Sequence, residues 1–309
     1  MHDWIRSLGS RWCPAARVPD APVAFEPTRL LWSRGLALLC DHNGGTSFVR
    51  GQLGSRPALR FGADAYANVR DGELVWVRST ALPQFVREAL PRIHARFALV
   101  TGDEDWSIPS DFDRAADICN HPNVVYWFAQ NFDGTDSSGK ILPLPIGMDF
   151  HTISNAARWG HAQASPAQQE AELQALRSTM PANAQRLLRV HADFHFNQHS
   201  RALMGETRAT VEAVLRANPL VDFQLRQVSR ARLWLDKTRY AFTVSPHGNG
   251  LDCHRTWESL ALGNIVIVRR SPLDPLYEGL PVAIVERWED INRERLQAWH
   301  ERYRQRFLE

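Results

Sequence analysis

Short apolar runs alternate with amphipathic stretches along most of the chain. Runs rich in Val, Ile, Leu and aromatic residues predict strands at residues 30–40, 73–77, 95–101, 123–128, 140–146, 187–196, 221–225, 240–244 and 264–268. Apolar residues at helical spacing predict helices at residues 82–93, 168–180, 207–217, 230–236 and 289–307. Strands that alternate with helices are typical of parallel sheets covered by helices. The pattern therefore predicts an α/β fold.

Chain length and a change in composition divide the sequence into parts. The 309 residues are enough for two hydrophobic cores of about 150 residues each. Residues 156–185 are rich in Ala, Gln and Glu, so we interpret them as a helical connection. The prediction is an N-terminal unit of residues 1–155, this connection, a second unit of residues 186–290, and a final helix of residues 291–309.

Composition excludes several classes of protein. Apolar residues make up 44% of the chain, which is typical of a globular protein. The net charge of +2 gives no steering toward nucleic acid. Four widely spaced cysteines without a CxxC pair indicate reduced thiols and a cytoplasmic protein. No signal-peptide pattern and no apolar run of about 20 residues is present, so any contact with the inner membrane surface is expected to be transient and peripheral.

Residues 240–268 form the stretch with the clearest local pattern, which is strand, glycine loop, helix and strand. Gly248 and Gly250 lie in the loop, where we expect them to adopt a positive φ. Asp252 is a predicted N-cap of the helix, and Gly263 suits its C-terminal end. A strand, loop and helix in this order present backbone N–H groups and the positive end of a helix dipole, and both attract anions.

Helical spacing places two charged residues of this stretch together. At about 100° per residue, Arg255 and Glu258 share one face. Arg255 is able to donate two hydrogen bonds to a phosphate, and Glu258 is able to accept bonds from the neighbouring hydroxyls of a ribose. The opposite face, which we expect to pack on the sheet, carries Cys253, Trp257, Leu260 and Ala261.

The pattern therefore predicts a site for a nucleoside diphosphate. Besides Arg255 and Glu258, the predicted site includes Ser245, His247, Gly248, Asn249, Gly250, Asp252 and His254. The alternative is an intrahelical Arg255–Glu258 ion pair beside an ordinary glycine turn.

Residues 245–268 resemble the donor-site signature of exostosin-like glycosyltransferases, which belong to glycosyltransferase family 47. In that signature an Arg and a Glu three residues later follow a glycine-containing loop, and a glycine precedes the next strand. Arg255, Glu258 and Gly263 match it. Residues 123–131 and 142–149 are similar to segments of bacterial members, and the resemblance covers residues 70–290. It implies a GT-B fold, in which two Rossmann-like domains with parallel sheets face each other across a cleft.

The resemblance also implies an activity. The C-terminal domain would bind a UDP- or GDP-sugar, and the N-terminal domain a saccharide or glycan acceptor of polysaccharide or lipopolysaccharide biosynthesis. Transfer of the hexosyl or pentosyl group would be inverting and would need no metal or other cofactor. By the family pattern, Arg255 would neutralise the diphosphate and Glu258 would bind the ribose. Arg201, just after a strand of the same domain, is the candidate for a second diphosphate contact.

A transferase of this kind needs a base for the acceptor hydroxyl. The strand of residues 95–101 leads into an acidic loop, and loops after strands form the ligand crevice of open α/β sheets. Asp103 and Asp105 of this loop are the candidate catalytic carboxylates. His42, His151 and His247 are rivals, and a solvated acidic turn is the alternative interpretation of the loop.

Two other classes of function stay open at the level of sequence. One is a different enzyme on the same scaffold, such as a nucleotide-sugar epimerase or a pyruvyl transferase. The other is a catalytically silent module that retains the nucleotide-sugar pocket. A nucleic-acid binder is the least supported class, because no basic stripe interleaved with aromatic residues is present.

Overall fold

Two parallel sheets organise the structure, a computed structural model that describes residues 28–44, 61–194 and 201–304. The first sheet, in the order β1-β2-β3-β4, consists of β1 Leu74–Arg78, β2 Phe97–Gly102, β3 Val124–Ala129 and β4 Ile141–Pro143. The second sheet, in the order β6-β5-β7-β8-β9, consists of β5 Leu187–Ala192, β6 Val221–Phe223, β7 Tyr240–Val244, β8 Ile265–Arg269 and β9 Val282–Val285. Neighbouring strands run parallel in both sheets. The predicted α/β fold with two parallel sheets is confirmed.

Helices connect the strands. They are α1 Ser33–Leu39, α2 Leu82–Gln84, α3 Ala115–Cys119, α4 His151–Asn155, α5 Pro166–Thr179, α6 Arg208–Arg216, α7 Arg230–Lys237, α8 His254–Ala261 and α9 Arg293–Tyr303. The predicted helix of residues 82–93 is irregular, because α2 continues as a π-helical stretch Phe85–Ala89 and a 3₁₀ turn Leu90–Arg92. Of the described helices, none combines the length and the apolar character that a membrane span requires.

Residues 30–40 were expected to form a strand, and this prediction is wrong. The segment contains helix α1, whose buried residues Ser33, Arg34 and Ala37 lie at helical spacing. Leu38 and Leu39, which suggested a buried strand, are 38% and 73% exposed. The buried face of the helix places Ala37 in the hydrophobic core and the Arg34 guanidinium against Asp103, and the apolar pattern does not show the second interaction.

Some predicted elements extend beyond what the structure describes. The strand of residues 187–196 is β5 up to Ala192, and its last two predicted residues lie outside the described part of the chain. The final helix begins at Arg293 and is described to Tyr303. The short elements β9, α3 and α4 were not predicted from the sequence.

A shared apolar cluster holds the two halves together. Trp32, Met148 and Phe150 from the first half pack with Trp234 and Leu262 from the second. Leu173 of α5 is buried in the same cluster, so the helix in the predicted connection is part of the interface. The predicted boundaries at residues 155 and 186 fall between the two sheets, and the division into domains stays a prediction.

The glycine loop after β7 touches the first half directly. The Asp252 carboxylate accepts a hydrogen bond from the Ile146 backbone N–H at 2.8 Å, and the Asp252 N–H donates to the Asn131 side-chain oxygen at 2.9 Å. A Cβ added at Gly250 would lie 2.8 Å from the Asn131 amide atoms. Gly250 therefore allows the loop to approach the first half closely.

This contact predicts that Gly250→Ala lowers the free energy of unfolding by about 1–3 kcal/mol, because the added methyl group overlaps Asn131. Urea denaturation measures the change. The matched control is Gly62→Ala, since no heavy atom lies within 4 Å of a Cβ at Gly62 and its φ of −113° suits alanine. Equal stability of the two variants would contradict the close approach.

Candidate functional site

The order of the second sheet locates the site. The strand order reverses between β5 and β7, and ligands of open α/β sheets bind at the carboxyl ends of the strands at such a point. A cavity of about 590 Å³, within the usual range for small-molecule sites, lies there. Residues that follow β5, β6 and β7 line one side of it. Asp105, Ile146 and Asp149, which follow β2 and β4, line the other side.

The predicted strand–loop–helix unit is present, but its helix begins one residue later than the predicted N-cap implies. Helix α8 begins at His254 with Cys253 as its N-cap, so Asp252 is one residue too early to cap it. Asp252 still reaches the helix start, because its carboxylate accepts from the Cys253 backbone N–H at 2.8 Å. Gly263 has a φ of +72° and ends the helix as expected.

Gly248 and Gly250 do not have a positive φ, so the predicted reason for these glycines is wrong. At both positions a side chain would lie too close to a neighbouring residue. A Cβ at Gly248 would lie 2.8 Å from the Arg208 guanidinium, and one at Gly250 would meet Asn131. The loop is glycine-rich because a cation and the first half of the chain pack directly on its backbone.

Arg255 lines the cavity and is held by a buried carboxylate. Its Nε lies 3.0 Å from Oδ1 of Asp193, whose Oδ2 is 2.8 Å from Nζ of the fully buried Lys237. Burial by itself raises the pKa of Asp193, but the charges of Lys237 and Arg255 outweigh it and keep that pKa below its usual range. Asp193 is therefore a carboxylate at neutral pH and fixes the direction of Arg255.

Glu258 lines the same cavity one helical turn after Arg255. Burial raises its pKa, the Lys237 charge opposes that rise, and the nearby Asp149 carboxylate adds to it. Arg255 pairs with Asp193, and no Arg255–Glu258 ion pair forms between these two described residues. The alternative of an intrahelical ion pair is therefore not what the structure shows.

Two polar residues of α8 are more deeply buried than the apolar face that was predicted to pack on the sheet. The fully buried residues of this helix are Thr256 and Ser259. The Thr256 hydroxyl donates to the Ser245 hydroxyl at 2.9 Å, and the Ser259 hydroxyl accepts from Lys237 at 3.1 Å. The buried Lys237 ammonium therefore has a second acceptor on α8, in addition to the Asp193 carboxylate. The residues predicted to pack on the sheet are half-buried, namely Cys253, Trp257, Leu260 and Ala261. Two of them, Trp257 and Leu260, pack as predicted against a cluster that includes Val266 and Val268 of β8.

Arg208 was missed by the sequence analysis and lies beside Arg255 in the cavity wall. It is the first residue of α6, and its Nε donates to the His247 carbonyl at 3.1 Å. Burial lowers the pKa of Arg208, and the neighbouring Arg255 charge lowers it further. Two guanidinium groups close enough to repel each other form a natural anion site. The available signal was an Arg immediately after the N-cap Thr207.

Arg230 adds a third cation to the cavity wall. Its Nη1 donates to the Gln169 side-chain oxygen at 2.6 Å, and its guanidinium carbon lies 4.5 Å from the centre of the Trp234 ring. These contacts fix Arg230 to α5 and α7. It therefore contributes charge to the wall from a rigid position.

The structure brings most of the predicted site residues to the cavity. Those that line it are Asp105, Gly248, Asn249, Gly250, Asp252, His254, Arg255 and Glu258. Burial raises the pKa of Asp252 to about 6, although three N–H groups donate to its carboxylate. His254 is fixed by its Nδ1, which donates to the Gly147 carbonyl at 2.7 Å.

Four predicted residues do not line the cavity. Arg201 is paired instead with Asp111, with Nη2 to Oδ1 at 2.6 Å. The ring of His247 turns inward, because its Nδ1 donates to the Leu251 carbonyl at 2.7 Å. Ser245 is buried under α8. Asp103, the fourth, is enclosed by arginines.

The two aspartates of the acidic loop occupy opposite environments. The Asp103 side chain is 2% exposed and lies 3.1 Å from Arg34 and 2.9 Å from Arg78. It has no access to a substrate, so its predicted role as a catalytic base is corrected to a structural ion pair. Asp105 is exposed and lines the cavity from the first half. Among the rival histidines, His42 pairs with Glu73 at 2.8 Å.

Comparisons with known proteins find distant structural similarity only. No protein-family model matches the chain, and no curated protein sequence matches it either. An α,α-trehalose-phosphate synthase (UDP-forming) from Burkholderia vietnamiensis is 13% identical, with 79% of this chain and 73% of that chain covered and a TM-score of 0.38. An E. coli structure described as trehalose-6-phosphate bound with UDP-2-fluoro glucose is 12% identical, with 78% and 67% covered and a TM-score of 0.35. At these TM-scores the fold assignment rests on the sheets of this chain itself, and the exostosin resemblance stays a prediction.

The environments of the two aspartates lead to opposite predictions for stability. Asp103→Asn is expected to lower the free energy of unfolding by about 3–5 kcal/mol, because it removes the carboxylate charge that pairs with two buried guanidinium groups. The matched control Asp105→Asn is expected to change it by less than about 0.5 kcal/mol, since Asp105 is exposed. Urea denaturation monitored by tryptophan fluorescence compares the two variants. A stable Asp103→Asn protein would contradict the structural role.

Proposed function

We propose that the chain is a glycosyltransferase that binds a nucleoside-diphosphate sugar in the cavity at the carboxyl edge of the second sheet. The observation that supports this most is the placement of Arg255, Arg208 and Glu258 in one cavity wall at the strand-order reversal. Two cations and a carboxylate in this arrangement complement a diphosphate and a ribose. The cavity volume of about 590 Å³ is sufficient for a ligand of this size.

The diphosphate is the group that the cations recognise. Arg255 and Arg208 carry like charges that oppose each other without an anion, and a diphosphate between them removes that repulsion. The negative charge that develops as the sugar leaves is stabilised by the same fixed guanidinium groups. Because this charge is matched by arginine side chains, departure of the nucleoside diphosphate requires no metal ion.

Glu258 is the group proposed to bind the ribose. An ionised carboxylate accepts hydrogen bonds from both hydroxyls of the sugar. The pocket beyond it is partly apolar, with Trp159, Leu225, Val228 and Leu233 in its lining. These side chains offer a surface for a nucleobase, which is uracil or guanine in the donors proposed.

Asp105 is the proposed base on the acceptor side. It follows β2 of the first half and faces the donor side of the cavity. In an inverting transfer, an acceptor hydroxyl attacks the anomeric carbon while Asp105 takes its proton. The bond between the anomeric carbon and the phosphate oxygen breaks, and the nucleoside diphosphate leaves with the electron pair. The acceptor is a saccharide or glycan, and the transferred group is hexosyl or pentosyl.

The test compares two arginines that were both candidates for the diphosphate. Calorimetry with UDP and GDP is expected to show that Arg255→Ala weakens binding by about 10- to 100-fold, the usual effect of losing charge-assisted hydrogen bonds. Arg201→Ala is the matched control and is expected to bind normally, because its guanidinium pairs with Asp111 outside the cavity. Arg255→Ala is also expected to reduce transfer from the donor that binds by about 10²- to 10³-fold.

Three outcomes decide the proposal. Normal nucleotide affinity in Arg255→Ala would contradict the proposed site. Tight binding without transfer or hydrolysis, over a panel of saccharide acceptors, would instead indicate a silent binding module. Conversion of the donor sugar in the absence of any acceptor would indicate an epimerase.

A further inference from the structure

Three potential metal ligands meet where the two halves of the chain touch. Asp149 and His151 flank the start of α4, and His254 is the first residue of α8. Their candidate ligand atoms all lie within 4.8 Å of one another. Among the described residues, this is the one group of three Asp, Glu, His or Cys side chains whose ligand atoms lie that close together. Asp149 and His254 line the cavity, while His151 is buried behind them.

The surroundings orient these side chains as ligands. The Gly147 carbonyl can only accept a hydrogen bond, so the contact of 2.7 Å places a proton on Nδ1 of His254. In the neutral imidazole, Nε2 then carries the free lone pair. A backbone carbonyl that fixes the second nitrogen of a histidine in this way is the usual support of a metal ligand. The Asp149 carboxylate is held in turn by the Thr152 backbone N–H at 3.1 Å.

We propose that Asp149, His151 and His254 bind one divalent transition metal ion of the zinc type. Two imidazoles and one carboxylate favour zinc, cobalt, nickel or iron over magnesium and calcium, which prefer oxygen ligands alone. Bonds of about 2.0–2.2 Å require the three side chains to move slightly closer together on binding. The coordination positions that remain open face the cavity, because Asp149 and His254 line it.

The ion would connect the two halves. Asp149 and His151 follow the first sheet, whereas His254 belongs to the helix between β7 and β8 of the second. A metal held by both halves stabilises the folded chain by mass action, because the unfolded chain lacks the assembled site. This inference does not depend on the proposed transfer reaction. The arginines already match the diphosphate charge, so the ion is assigned to the contact between the halves and to no step of the reaction.

The experiment uses the tag-free full chain after treatment with a chelator. Calorimetric titration with Zn²⁺ is expected to show one ion bound per chain. The Co²⁺ form is expected to show visible absorption bands, and X-ray absorption at the zinc edge is expected to show two imidazole ligands. His254→Gln and His151→Gln are each expected to weaken zinc binding by at least about 100-fold, since loss of a direct ligand exceeds the 10- to 100-fold cost of losing a supporting residue.

The matched control is His161→Gln. His151 pairs with Asp149 within the proposed site, with Nδ1 to Oδ1 at 3.2 Å. His161 likewise pairs with a carboxylate, Glu172 at 2.7 Å, but these two residues are not part of a described three-ligand group. This variant is expected to bind zinc like the parent chain. A saturating amount of Zn²⁺ is expected to raise the melting temperature of the parent chain and of His161→Gln, and to leave that of His254→Gln unchanged.

Two results would overturn the inference. The first is the absence of stoichiometric binding of Zn²⁺ and Co²⁺ to the parent chain. The second is parent-like zinc affinity in both His254→Gln and His151→Gln. The X-ray absorption spectrum is measured on the parent chain, so the inference remains testable if a variant does not fold.

Discussion

The buried Asp193 carboxylate is the interaction on which the candidate site depends. It lies between Lys237 and Arg255 at the end of β5, with its side chain 4% exposed. A carboxylate removed from water is stable only when cations compensate the lost hydration, and here two cations do so. One of them, Lys237, is fully buried and does not reach the cavity lining. The other, Arg255, lies in the cavity wall, so the requirement to neutralise Asp193 also fixes the direction of the cation that we propose to bind the diphosphate.

A second constraint comes from the contact between the two halves. The Asp252 carboxylate accepts hydrogen bonds from Ile146, from Cys253 and from the Trp257 ring, and therefore joins the glycine loop, α8 and the segment after β4. The loop has glycines where Arg208 and Asn131 pack on its backbone. The cavity is consequently formed by both sheets, and its two walls have different chemistry. The wall from the second half carries four arginines, Arg208, Arg226, Arg230 and Arg255, beside the carboxylates of Asp193, Asp252 and Glu258. The charged residues of the wall from the first half are Asp105 and Asp149, so the cations come from the second half.

The sequence was informative where local pattern and burial coincide. The apolar runs and the glycine loop predicted strands β7 and β8 and the helix between them. Helical spacing then placed Arg255 and Glu258 on one face of that helix. The helix α1 was mistaken for a strand because its buried face combines Ala37 with the ion pair of Arg34 and Asp103, and the apolar pattern does not reveal that pair. The same limit applies to the acidic loop. Asp103 and Asp105 are two residues apart in one loop, and only the positions of Arg34 and Arg78 in space decide which of them is buried.

The remaining site residues were not predicted because their roles depend on partners that are distant in the sequence. Asp193 was placed inside the predicted strand of residues 187–196, and only the fold shows that it follows β5 and contacts Lys237 and Arg255. Arg208 and Arg201 are both arginines near the end of β5, and only the fold separates the one in the cavity from the one paired with Asp111.

The most direct test of the account is a crystal structure of the chain with the nucleoside diphosphate that binds more tightly, UDP or GDP. The account predicts that the diphosphate lies within hydrogen-bonding distance of Arg255 and Arg208, with the ribose hydroxyls on Glu258. A nucleotide bound outside the cavity, or bound in it without contact to Arg255, would contradict the central claim.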